Sequence, residues 1–420
     1  MNTNKSYLFS IYVIGALFFI FGFVTWINSV LIPFLKQVCQ LTNFEALLVT
    51  FSFYISYFVM ALPSSWVLKK TGFVKGMSLG LIVMAIGSVI FIPAALDRNY
   101  ILFLLGLFIQ GTGLALLQTA SNPYVTILGP IESAAQRICI MGICNKVAGM
   151  IGIFLLSYLL FSDINSISEH LATTTGEEHA LLLSELSHKI IIPYIAITVL
   201  LLLLGFAIQK AHLPEIDAES NVSEGEVSRK SIFSYPYLWL GVLTLFFYTG
   251  AEVVAVDTLG LYGKYCGLTD DVATKLGTYS LLALTVGYIL GILLIPKYIS
   301  QRKALAVCAG LNIVFLALAL LTTGKLSIFF IVMLSFGNAL MWPSIWPLSI
   351  EGLGKYTGTA SALMIMAIAG GATIPLLYGA WADAIGGNLH LPYLILLPSY
   401  IIILLFAPRL YKIGRGHENA

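Results

Sequence analysis

Apolar residues in this chain run for 20 or more positions at a time, broken only by brief polar stretches marked with glycine, proline or a basic residue. A helix needs roughly 20 apolar residues to cross about 30 Å of hydrocarbon. Twelve such runs predict spans near 9–35, 44–68, 74–96, 100–128, 138–161, 189–210, 235–262, 273–296, 304–322, 326–350, 357–380 and 390–408. The first is too long for a cleavable signal peptide and has no small-residue cleavage site. Two connections are long and polar. Residues 163–188 form an acidic loop with a short surface helix predicted at 177–188, and residues 211–232 divide the spans six plus six. The predicted organisation is a six-helix bundle over 1–212, a linker over 213–232 and a second six-helix bundle over 233–420.

Composition agrees with the pattern. Of 420 residues, 59% are hydrophobic and only 10% charged, where a soluble domain carries about 25% charged. The net charge of +2 comes from scattered loop residues, so no nucleic-acid partner is expected. Of the 22 Lys and Arg, fifteen fall on one side of the predicted spans and six on the other, with Lys146 inside a span. That bias puts both termini in the cytoplasm. Cys39, Cys139, Cys144, Cys266 and Cys308 lie singly, without disulfide or metal-ligand spacing. His170, His179 and His188 recur every nine positions, half a turn out of phase, and read as solvated. No cofactor and no metal are implied, and a monomer in the lipid bilayer is expected.

The halves resemble each other. With an offset of 228, LFFIFG at 17–22 falls on LFFYTG at 245–250. An offset of 224 puts Ala115-Leu116 on Ala339-Leu340 and Pro123 on Pro347, and 225 puts Ile140-Met141 on Ile365-Met366. A parallel six-helix repeat around a polar midplane is the architecture of major facilitator transporters. The fold class expected is therefore all-α integral membrane, twelve transmembrane helices in two pseudo-symmetric six-helix bundles. Spans one, four, seven and ten line the central cavity in that architecture. In this register Ser29 faces the position of Asp257, Gln118 that of Trp342, and Asn122 that of Trp346.

Three ionisable side chains interrupt otherwise apolar spans: Lys146 in RICIMGICNKVAGMIGIFLLSYLL, and Glu252 and Asp257 in LTLFFYTGAEVVAVDTLGLYG. Each costs about 2.5–3.5 kcal/mol at the centre of a membrane helix, so a chain that keeps three is using them. Glu252 and Asp257 stand about 140 degrees apart on a helix and cannot address one spot. A Lys–carboxylate pair is expected, as a static lock or as a switch that loads and releases a proton. Amides supply the neutral chemistry. Gln118 and Asn122 are four apart on one face of span four, Asn145 adjoins Lys146, and Asn28 and Asn338 lie in spans one and ten. Such groups donate and accept together, as a polyol requires, although amides also tie membrane helices to one another. Trp342 and Trp346 share a face of span ten, with Pro343 and Pro347 expected to kink the helix between and after them. An indole offers an apolar plane to a sugar ring and an N–H at its edge. Glu351 and Lys355 read as a loop or gate pair, and Glu45 as a charge at a helix N-terminus.

The runs FFIFGFVTWINSVLIPFLK, LLQTASNPYVTILGP, RICIMGICNK and IEGLGKYTGTASALMIMAIAGGA resemble the fucose-galactose-glucose:proton symporter family of the major facilitator superfamily. The resemblance implies uptake of a monosaccharide such as L-fucose, glucose or galactose across a bacterial inner membrane with a co-transported cation, a proton or sodium. It also carries a sugar-contact role to Asn145. Two acids of the fucose type are missing: Ser29 stands where span one has aspartate, and Gln118 where span four has glutamate. The pseudo-symmetric register suggests that the titratable site has moved to Glu252 and Asp257, with Lys146 as modulator. Alternatively Lys146 replaces the cation and the protein is a uniporter or exchanger. An enzyme would need a catalytic set at membrane depth, and no histidine lies there. A nutrient sensor would need a signalling domain, for which the termini are short.

Overall fold

The structure, a computed structural model, describes residues 2–127, 134–161, 174–210, 231–295, 297–350, 353 and 356–413, with the backbone alone for 2–10, 122–127, 134–137, 357 and 358. Among the described residues there is no strand. Eleven helices are long and apolar enough to cross a membrane: Ile11–Val38, Asn43–Thr71, Phe73–Leu96, Tyr100–Ser121, Ile138–Phe161, Glu177–Lys210, Pro236–Asp257, Asp270–Leu294, Gln301–Leu321, Gly324–Ile350 and Thr359–Ala384. A shorter apolar helix, Leu391–Phe406, is the twelfth. These are spans one to twelve below. The expected surface helix is present at Glu177–His188. His188 on it is exposed, but His179 is half-buried and lies 3.1 Å from Gln40, so that histidine is a packing residue rather than a solvated one. His170 lies outside the described residues.

Helix ends follow the local sequence. Thr42 accepts the Glu45 amide while the Glu45 carboxylate accepts the Thr42 amide, a reciprocal cap that accounts for the charge at the start of span two. Gly72, at φ 79°, makes the turn from span two to span three that a residue with a Cβ would resist. Within the first six spans, three packs on four and on six, two on four, and one on five. The crossing of spans three and four is a contact between glycines. A Cβ at Gly113 would sit 2.4 Å from the Gly80 carbonyl oxygen, and one at Gly87 2.7 Å from that of Gly106. Hydrocarbon offers no apolar driving force between helices, so close backbone approach of this kind supplies the packing. Among the last six, nine packs on ten and twelve, eight on ten, and seven on twelve. Spans two and eleven, and five and eight, join one set to the other.

Among the described residues, spans one and ten are interrupted within their length and span seven at its end, while span eleven tightens to a 3-10 turn over Ala367–Ala369. Span one stops as a regular helix at Trp26 and resumes at Asn28, span seven stops at Asp257 and resumes at Leu259, and span ten stops at Asn338 and resumes at Met341. In span ten the interruption lies one turn upstream of where the prolines themselves stand. Pro343 has no N–H for the carbonyl of residue 339 and its ring crowds that carbonyl, so the ladder parts there. Pro347 is carried inside the resumed helix. Counted from the interruptions, Asp257 stands at the place of Trp26 rather than of Ser29, a slip of three residues from the sequence register. Ser29 closes its own break by donating to the Trp26 carbonyl at 2.8 Å.

One end of the assembly is tied shut across the two sets of spans. Asp383, in the last turn of span eleven, accepts from Asn43 Nδ2 at 2.6 Å and from the Phe44 amide at 2.7 Å. A carboxylate from one set thus caps a helix of the other. Ser157 of span five meets Thr274 of span eight at 2.6 Å, and within the first set Lys36 donates to Asn43 Oδ1 and so holds the amide that faces Asp383. A cavity of about 540 Å³ opens at the same end, lined by Pro33, Lys36, Gln37, Lys264 and Asp270 among others.

Spans one and five approach most closely at Gly22, where a Cβ would lie 1.8 Å from the Asn145 carbonyl oxygen. Backbone cannot yield as a side-chain tip can. Gly22→Ala is expected to cost about 1–3 kcal/mol, the usual range for overpacking, and to lower the thermal unfolding midpoint in detergent. An unchanged midpoint would show that the two backbones do not meet there.

Candidate functional site

Lys146 and Glu252 find each other. The Lys146 ammonium donates to Glu252 Oε1 at 2.8 Å, and both side chains are about nine-tenths withdrawn from solvent. The pair joins span five to span seven. The same ammonium lies 4.1 Å from the centre of the Trp26 ring, so it is held between a carboxylate and an indole face. The indole N–H of Trp26 donates to Asn145 Oδ1 at 3.0 Å, and Asn145 Nδ2 lies 3.5 Å from the Phe18 carbonyl. Room for the indole comes from Gly149, where a Cβ would sit 2.5 Å from Trp26 Cδ1.

The second carboxylate is separate, as the helical angle required. Asp257 is fully buried and accepts from Thr50 Oγ1 of span two at 3.1 Å, while its Oδ1 has no partner. Tyr54, one turn along from Thr50, is within electrostatic reach of both Glu252 and Asp257. Its ring stacks on Tyr57 at 6.1 Å, and the Tyr57 hydroxyl accepts from Gln118 Nε2 at 3.0 Å. On the other side Tyr248, one turn before Glu252 on span seven and within electrostatic reach of it, lies 6.4 Å from Trp342. Trp342 stacks on Trp346 at 5.4 Å. Both indoles are half-buried, as are Gln118 and Asn145, so each keeps surface to offer.

The structure therefore gathers Gln118, Asn145, Lys146, Glu252, Asp257, Trp342 and Trp346 into one web of charge, amide and aromatic contacts. It does not gather all the residues expected there. Asn338 is fully buried and accepts from Asn312 Nδ2 of span nine at 2.8 Å. Its amide ties spans nine and ten together, because the residue falls on the face of span ten turned to its neighbour. Asn28 is buried just after the break in span one, with its Nδ2 unpartnered. The side chain of Asn122, and Glu351 and Lys355, lie outside the described residues. None of the expected site residues lines the cavity at the closed end.

Trp26, Thr50, Tyr54, Tyr57 and Tyr248 join the web without having stood out in the sequence. A signal existed for Trp26 alone, since the TWINS stretch sets it beside Asn28 and Ser29. The tyrosines sit in runs where an aromatic is ordinary packing.

Twelve apolar helices around a buried polar web at mid-span are the architecture of a multispanning membrane transporter. The family profile of the Major Facilitator Superfamily matches residues 14–375. A glucose/galactose transporter from Brucella abortus is 34% identical over 405 residues, 96% of this chain and 94% of its own. The L-fucose-proton symporter of Escherichia coli is 29% identical over 416 residues, covering 96% and 93%. The crystal structure of FucP, a major facilitator transporter in the outward conformation, superposes with a TM-score of 0.73 at 28% identity, covering 96% of this chain and 98% of that one. The chain belongs to the major facilitator superfamily, in the branch of these sugar transporters.

Removing one partner of a buried ion pair strands a charge, at a cost of about 3–5 kcal/mol. Lys146→Met is expected to destabilise by that order, and adding Glu252→Gln to recover most of the loss, as read from thermal unfolding in detergent. Strictly additive losses would mean that the two charges do not depend on each other.

Proposed function

We propose that this protein imports a monosaccharide of the glucose, galactose or L-fucose class by symport with a proton, the two six-helix bundles (1–212 and 233–420, joined by 213–232) rocking about a site at mid-membrane. The Lys146–Glu252 pair beside Asn145 carries the reading. It puts an exchangeable charge pair within one residue of an amide suited to sugar hydroxyls. Gln118 supplies a second amide, Trp342 and Trp346 a stacking plane, and Asn28 an unpaired donor; Asn122 belongs to the same face of span four as Gln118. Asp257 is the second titratable group, and its free Oδ1 is a place for a proton. The protein works as a monomer in the bacterial inner membrane with both termini in the cytoplasm, and it is not an enzyme. In that orientation the end tied by Asp383 and Asn43 is the outer one, so the closed end is the periplasmic gate.

Uniport is the second reading, favoured by one observation: an ammonium already occupies the Glu252 carboxylate. Sugar counterflow in liposomes, with and without an inward proton gradient, separates the two. Symport predicts accumulation above the equilibrium level under the gradient, and loss of accumulation with retained exchange in Asp257→Asn or Glu252→Gln. Exchange without gradient-driven accumulation in the unaltered protein would establish uniport, and accumulation that survives both substitutions would remove the two carboxylates from coupling.

A further inference from the structure

Trp26 makes two contacts that no other side chain at the site combines. Its N–H edge engages the amide of Asn145 and its face carries the ammonium of Lys146. These are adjacent residues of span five, and adjacent helical side chains diverge by about 100 degrees. The positions of span five that neighbour both, Gly142 three before Asn145 and four before Lys146, and Gly149 four and three after them, have no side chain, and Trp26 reaches both residues from span one. It is 3% exposed, which withdraws it from direct stacking on a solute in this state.

From these contacts we infer that Trp26 is the positioning residue through which occupancy of the sugar site is felt by the ion pair. The inference rests on the proposed sugar contact of Asn145. With its oxygen engaged by the indole N–H, the Asn145 amide is held in one of its two flip states, and its Nδ2 is the group left to donate to a hydroxyl. The Phe18 carbonyl at 3.5 Å is at the limit of a hydrogen bond and competes weakly for it. When a sugar draws the amide toward itself, the indole follows through its N–H, and the face under Lys146 moves with it. The ammonium then trades indole for carboxylate contact or the reverse. The backbone at Ile27 stays helical in its dihedrals (φ −64°, ψ −17°), and the turn there sets Trp26 at the junction of the two segments of span one. Gly149 shapes the slot on the facing helix: the indole fits where a Cβ would strike both Cδ1 and Cβ of Trp26.

The two contacts are separable by substitution. Trp26→Phe keeps a ring under the ammonium and removes the N–H. Trp26→Leu removes both. Sugar counterflow in liposomes over a range of pH reads each. Trp26→Phe is expected to raise the half-saturating sugar concentration about tenfold, the value of one well-placed hydrogen bond, with a smaller change in maximal rate. Trp26→Leu is expected to add a displaced pH profile. In an Asn145→Ala background, Trp26→Phe should raise half-saturation no further, because the group it positions is gone. Thermal unfolding of each variant separates positioning from loss of fold, and a variant that fails to fold is replaced by the intermediate Trp26→Tyr, which keeps ring and polarity. If Trp26→Phe leaves half-saturation unchanged while Asn145→Ala raises it, the inference on Trp26 is wrong and the sugar contact stands. If Asn145→Ala has no effect on half-saturation, the sugar contact itself is wrong.

Discussion

A single ammonium-to-carboxylate contact, Lys146 on Glu252 at 2.8 Å, sets the terms for much of the surrounding structure. Neither charge is tolerable alone at membrane depth, so the Lys146 and Glu252 side chains must reach each other from spans five and seven wherever else the helices lean. The pair is roofed by an indole rather than by water, which strengthens it. Its neighbours are arranged to suit. Trp26 covers the ammonium, and Tyr54 and Tyr248 lie within electrostatic reach of the carboxylate. Removing water from such a pair is costly unless further polar contacts offset it, and replacement by apolar groups is often neutral for stability. Its retention beside the half-buried amides and indoles of the same web is what the proposed transport role would account for.

That use depends on irregular backbone. The breaks after Trp26, Asp257 and Asn338 fall in spans one, seven and ten, three of the four spans that line the cavity of this architecture. The backbone bonds around these turns are largely kept, as membrane depth requires: Leu31 still bonds to Ile27 and Tyr262 to Thr258. The glycine crossings have the opposite character. Spans three and four are joined by Gly80, Gly87, Gly106 and Gly113 into a close-packed pair, so span four brings Gln118 to the web on a continuous helix braced from behind. The carboxylate of Asp383 over the start of span two closes one end with hydrogen bonds rather than a wide apolar seam, a contact that can be broken and remade in each cycle.

Much of this was legible in the chain. Twelve apolar runs and the surface helix at Glu177–His188 come from lengths and punctuation, which the bilayer constrains tightly. Lys146, Glu252 and Asp257 were conspicuous because charge within an apolar run has few innocent explanations. Their partners were not legible. Lys146 lies 106 positions from Glu252, and Asp257 lies 207 from Thr50; no local pattern encodes contacts at that separation. The rotation of each helix was equally hidden. Asn145 and Asn338 look alike in sequence, yet one faces the charge pair and the other only Asn312. The repeat register slipped by three residues at the breaks, close to one turn, which kept the faces nearly right while exchanging Ser29 for Trp26. Aromatic residues were the largest blind spot, since a tyrosine in a hydrophobic run is ordinary until its ring is seen against a carboxylate.

The central claim is that the pair, the amides and the indoles together surround one solute. It is tested most directly by determining the structure of the protein with bound monosaccharide, chosen from those it exchanges in liposomes. The account predicts the sugar within hydrogen-bonding distance of Asn145, against the indole of Trp342, and with Lys146 no more than a few ångströms away. A sugar bound well away from these residues, with the Lys146–Glu252 contact unaltered between the free and occupied protein, would contradict it.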